Sequence, residues 1–155
     1  MIEDLNPQII EKFRDTIIKY DDSFTLFIQY LNLNTDLEAI RWLSRTPDTD
    51  YSDIDNLMKI QYGKVSKAPA IYEYDTGSKY IIEINETIFD MMTYAEQEAF
   101  IFYMLSRVHI SFSKRNGETK FGLCSHYSAS KAVERAFGDA TNLPSPENLA
   151  ARFAQ

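Results

Sequence analysis

The sequence predicts an α+β fold, several helices packed on a small β-sheet, in a single domain spanning residues 1–155. Three observations carry this prediction. Ile9, Ile10, Phe13 and Ile17 recur at helical spacing and form one apolar face. Tyr80, Ile82 and Ile84 alternate with Ile81 and Glu83, the period of a strand with one buried side. A chain of 155 residues, 45% of them hydrophobic, is long enough to bury a real core and too apolar to stay disordered. No internal repeat is present.

In chain order, Asn6 and Pro7 open the first helix as N-cap and first helical residue: the Asn side chain can accept a free backbone N–H, and proline lacks the N–H that would go unbonded there. Ser23 is placed to cap a second helix with Phe24, Phe27, Tyr30 and Leu31 on its buried side. Thr35 and Glu38 have the spacing of a capping box and start a short helix carrying Ile40, Trp42 and Leu43. These N-terminal helices, residues 7–44, present an aromatic stripe of the kind that usually belongs to the core.

Residues 46–56, TPDTDYSDIDN, hold Asp48, Asp50, Asp53 and Asp55 with no basic residue among them. A calcium loop fits poorly, since the central glycine is missing and Lys59 falls where a bidentate glutamate should be. Two readings remain: a solvated loop leading into a short helix capped by Ser52, and an acidic patch facing a partner.

Ala70–Tyr74 and Lys79–Asn85 read as two strands joined by Asp75-Thr76-Gly77-Ser78, turn residues that include a glycine free to take positive φ. Thr93 and Glu96 form a second capping box, starting a helix that runs to about Val108. From Ala99 to Leu105 this helix is apolar almost all round, as a central, buried helix is. Ser113-Lys114-Arg115-Asn116-Gly117 is a basic turn and Thr119–Cys124 a third strand. A last helix spans about Ala129–Phe137 with Gly138 as its C-terminal cap. Pro144 and Pro146 make a stiff connection to a short amphipathic end, Leu149–Phe153.

Composition limits the function classes. The net charge is −7 and the pI about 4.8, which argues against nucleic-acid binding through the bulk field, because phosphate recognition needs a basic footprint. The same acidity suits ordinary solubility, and it also suits a basic groove on a protein partner. No apolar run reaches the length of a membrane span, the N-terminus MIEDLNPQ lacks the pattern of a signal peptide, and the single cysteine, Cys124, forms no intramolecular disulfide. These features lead us to expect a cytoplasmic protein. Phosphate loops, G-x-G-x-x-G and the G-x-S-x-G elbow are all absent.

The stretch from Tyr80 to Gly138 organises the functional reading. It supplies Ile81, Ile82, Ile84 and Asn85, then Thr93, Glu96, Gln97 and Ala99, then Gly117, Lys120 and His126, and ends Arg135-Ala136-Phe137-Gly138. In this order and spacing the residues resemble the phage metallopeptidase domain family, a zincin-like family of phages and prophages, over residues 60–138. The family pattern has a strand of the type FIIxIN, a T-x-E-E-Q helix start, H-E-L-x-H on the helix, and a G-x-P-K-x-x-x-H-D segment before a second helix ending near R-Y/F-G. The resemblance implies a minimal zincin topology. It also implies a zinc site, in which two His at i and i+4 share one metal and the Glu between them acts on the metal-bound water.

The chain departs from the family at that site. Aligned with H-E-L-x-H are Tyr103, Met104, Leu105, Ser106 and Arg107, so Tyr103 and Arg107 replace the ligands and Met104 the base. A guanidinium beside a divalent cation would repel it. Of the family's metal-site residues only His126 remains, and its acidic neighbour is here Tyr127. A relocated zinc site of His109, Cys124 and His126, completed by an acid, is the alternative; the competing reading is a small buried Cys beside two ordinary His.

The leading expectation is a phage-derived, non-catalytic protein, without a cofactor, that binds and inhibits a host protein, for example a defence component such as a CRISPR nuclease. Asp48, Asp50, Asp53 and Asp55 are the candidate contact. The alternatives are a metal-dependent peptidase with substituted ligands and a structural accessory protein whose zinc only fixes the fold. Lys114, Arg115 and Lys120, next to Phe112 and Phe121, form a small basic patch that could contact phosphate or an acidic partner, and a solvated turn explains it as well.

Overall fold

In a computed structural model, the chain is described at residues 2–25, 39–45, 62–138 and 151–152. The strand legible in the sequence is the spine. β1 (Ile2–Asp4), β2 (Ile40–Arg45), β3 (Gly63–Lys67) and β4 (Tyr80–Ile84) form one sheet in the order β1-β2-β4-β3. β4 lies parallel to β2 and antiparallel to β3, with Trp42 and Val65 both opposite Ile82. Tyr80, Ile82 and Ile84 are fully buried, as their alternation required.

Helix α1 (Pro7–Lys19) begins as expected, the Asn6 side chain accepting from the Gln8 N–H at 2.9 Å. It buries Ile9, Phe13 and Ile17, and Phe13 meets Trp42 edge-on at 4.7 Å. A short helix α2 (Ala70–Thr76) precedes β4, and another, α3 (Glu86–Asp90), follows it, capped by the Asn85 side chain. The central helix, α4 (Tyr94–Ser106), has both halves of its capping box. The Thr93 N–H donates to Glu96 at 2.8 Å and the Glu96 N–H to Thr93 Oγ1 at 3.2 Å. Arg152 then clamps the Glu96 carboxylate with bonds of 2.8 and 3.1 Å. Phe100, Ile101, Met104 and Leu105 of α4 are buried in the core beneath α1 and the sheet. Lys12 ties the two helices together through Gln97, at 2.7 Å.

β5 (Val108–Phe112) and β6 (Thr119–Leu123) form a separate two-stranded sheet, followed by α5 (His126–Phe137). Gly117 has φ 72°, the left-handed turn that this hairpin needs. The Ser125 side chain caps α5 at the Ser128 N–H, and the helix ends at Gly138, φ 78°. No helix among the described residues is long and apolar enough to cross a membrane.

Three expectations about elements are corrected. Ile40–Arg45 is a strand: Ile40, Trp42 and Ser44 are buried and alternate with partly or fully exposed neighbours, and the segment fills the parallel position beside β4. Ala70–Thr76 is a helix, with Pro69 at its N-cap and Gly77 at φ 77° closing it; the strand beside β4 is Gly63–Lys67 instead. The central helix stops at Ser106, and Val108 already belongs to β5. Phe27, Tyr30, Leu31, Thr35, Glu38, Ser52, Lys59, Pro144 and Pro146 lie outside the described residues, as do Asp48, Asp50, Asp53 and Asp55.

Candidate functional site

The last turn of α4 carries Tyr103 to Arg107, and α5 begins at His126 beside it. Helices α4 and α5 pack together, which brings residues far apart in sequence to one place. The Tyr103 hydroxyl lies 2.5 Å from His126 Nδ1, and the two rings meet edge-on at 5.5 Å. The other ring nitrogen, Nε2, faces the hydroxyl of Ser130 at 3.5 Å, one helical turn further along α5. Both nitrogens of His126 therefore point at hydroxyls. If Tyr103 donates to Nδ1, Nε2–H donates to Ser130; the opposite tautomer reverses both bonds. Burial pushes the Tyr103 phenol up, against a smaller downward pull from Arg107, so it keeps its proton at neutral pH.

Arg107 is engaged elsewhere. Its guanidinium donates to the Cys124 carbonyl, and the Cys124 N–H donates to the Arg107 carbonyl at 2.6 Å. This reciprocal pair extends the β5–β6 ladder by one step and fixes the start of α5 against the end of α4. Met104 points the other way, fully buried near Gly63 at the start of β3. Leu105 is in the core, and the Ser106 hydroxyl donates to the Phe102 carbonyl of its own helix at 2.7 Å.

This donor set does not suit a divalent cation. A phenol that keeps its proton, a buried thioether and a bound guanidinium offer no anionic or imidazole ligand, and the guanidinium adds positive charge. The two histidines of the chain, His109 and His126, are not four residues apart, so the sequence contains no H-E-x-x-H. His109 is exposed on β5 opposite Gly122, and Cys124 follows β6. His109 and Cys124 line one open groove of about 680 Å³, with Phe102, Leu105, Val108 and Ile110 among its apolar walls. Among the described residues, no three His, Cys, Asp or Glu side chains form a group that could hold a metal ion.

Sequence reasoning missed Ser130. Its spacing of four from His126 on a helix was the available signal, because such residues share a face. It also missed that position 103, where the family resemblance placed a metal ligand, reaches position 126 directly.

A family model described as "Putative phage metallopeptidase" matches residues 5–143. No curated protein and no solved structure matches the chain.

Proposed function

Because the chain belongs to the phage metallopeptidase family, we propose that it keeps the family's scaffold, has given up metal-dependent hydrolysis and acts by binding a protein of the phage's host. A defence component such as a CRISPR nuclease is the partner class we favour, on the phage family, the substituted site and the net charge of −7. The observation that carries the reading is the state of His126: Tyr103 sits 2.5 Å from one ring nitrogen and Ser130 faces the other. We take Tyr103, Met104 and Arg107 to stand where the family's two ligands and its base would be. A histidine held between two hydroxyls, next to a guanidinium committed to a backbone carbonyl, supports a structural joint rather than a water-activating centre.

The test is capture of partners from a bacterial lysate by the tagged protein, followed by mass spectrometry and a cleavage assay on the captured protein with zinc and with a chelator. The reading expects an intact partner in a fixed ratio to the bait and no loss of it over time. Chelator-sensitive fragmentation of the partner, abolished in His126→Ala, would overturn the reading in favour of a peptidase.

A further inference from the structure

The β5–β6 hairpin carries charge of the opposite sign to the rest of the molecule. Residues 113–120, SKRNGETK, hold Lys114, Arg115 and Lys120 against one acid, Glu118, in a chain of net charge −7. All four charged side chains are exposed, and none of the three cations has an ion-pair partner among the described residues. Of the other exposed cations, Lys19 meets Glu98, Arg45 meets Glu83 and Lys131 meets Glu134, while Lys64 and Arg135 have no ion pair among the described residues.

The hairpin is also rigidly mounted. The Tyr80 hydroxyl lies 3.0 Å from the Gly122 carbonyl and 3.3 Å from that of His109. Phe121 packs edge-on against the Tyr80 ring, with the Lys79 ammonium 5.2 Å above Phe121. At the tip, the Ser113 N–H donates to the Glu118 carbonyl and the Gly117 N–H to Ser113, at 2.8 and 2.9 Å. Beside it Phe112 leaves 54% of its surface exposed. A preformed turn removes the backbone part of the ordering cost on binding, while the Lys and Arg side chains still lose rotamer freedom.

We infer that Lys114, Arg115 and Lys120 form a docking surface for a short acidic segment of a partner protein. Charge complementarity selects the sign of the occupant, and the small extent of the strip selects its length. A nucleic acid carries regular charge far beyond so short a strip, and the net charge of −7 opposes it. The inference rests on the reading of this chain as a protein-binding module and adds the place and the chemistry of one contact.

The test is fluorescence anisotropy with a labelled oligoglutamate peptide and a labelled oligothymidylate of equal charge, at low and at high salt. The intact protein should bind the peptide more tightly than the oligonucleotide, and less well as salt rises. Combining Lys114→Glu, Arg115→Glu and Lys120→Glu should weaken peptide binding by roughly tenfold or more, since exposed charge contacts contribute a few-fold each. A control with Lys19→Glu, Arg45→Glu and Lys131→Glu changes the net charge equally and should bind nearly as the parent does. Circular dichroism establishes that both variants are folded. The inference is overturned by no peptide binding at low salt, by equal losses in the two variants, or by tighter binding of the oligonucleotide. None of these outcomes bears on whether the protein cleaves its partner, so the two readings fail separately.

Discussion

Gly63→Ala tests how the central helix is seated. Gly63 opens β3 directly beneath α4. A Cβ at this position would lie 2.8 Å from Phe100 Cζ and 2.9 Å from both the Met104 Cε and the Glu83 carbonyl oxygen. The first two contacts are ends of side chains, but both residues are 1% exposed, so any shift must be taken up by close-packed core neighbours. The third is the backbone of β4, which the β3–β4 ladder holds in place. Overpacking of this kind typically costs about 1–3 kcal/mol. Against it stands the gain of about 0.4–1 kcal/mol from stiffening the unfolded chain when Gly becomes Ala. The packing loss should win, leaving a net destabilisation of about 1–2 kcal/mol. Urea denaturation should show a lower midpoint with an unchanged slope. Adding Met104→Ala should recover part of the Gly63→Ala loss in a double-mutant cycle, because it removes one of the three clashes. A Gly63→Ala protein as stable as the parent would refute the close seating of α4 on β3.

Other consequences follow from the same structure. Ile101→Ala or Leu105→Ala empties a fully buried site of α4 and should cost about 2–5 kcal/mol in the same denaturation experiment. Burial works against the Glu96 carboxylate, but Arg152 and the Thr93 N–H hold it below the usual carboxylate range. Its contribution to stability is therefore present above the ordinary glutamate value and lost as the pH falls through the depressed one. Glu96→Gln should flatten the fall in melting temperature over that acidic window. For a captured partner, changing Asp48, Asp50, Asp53 and Asp55 to Asn should slow association at low salt with little change in dissociation, measured by surface binding; an unchanged on-rate removes this segment from the contact.

The sequence disclosed those features whose physics is local. The Thr93–Glu96 capping box, the Asn6–Pro7 start of α1 and the alternation of Tyr80, Ile82 and Ile84 each depend on neighbours within a few residues, and each is present in the structure. Errors arose where tertiary pairing decides. The Thr35–Glu38 spacing predicts a short helix carrying Ile40 and Trp42, but these two stand two residues apart, the strand period, and the open edge of β4 takes them as a strand. Ala70–Tyr74 reads as strand from its aromatics, although Pro69 before it and Gly77 after it are the boundaries of a helix. Ile71 and Tyr74 are 79% and 91% exposed there, so no buried face existed to be read. At the candidate site, the unusual residues Tyr103, Met104 and Arg107 were visible in the sequence. Their destinations were not: the reach of Tyr103 to His126 and of Arg107 to the Cys124 carbonyl depends on how α4 packs against α5.

The most direct measurement of the central claim is the zinc content of the protein, purified without chelator and equilibrated with a small excess of zinc, by elemental mass spectrometry alongside His126→Ala. With the Tyr103 hydroxyl on His126 Nδ1, and Arg107 adding positive charge at the end of α4, the protein should retain far less than one zinc per chain. The His126→Ala variant should retain the same amount. One zinc per chain in the parent, lost in His126→Ala, would contradict the account and return His126 to a metal site.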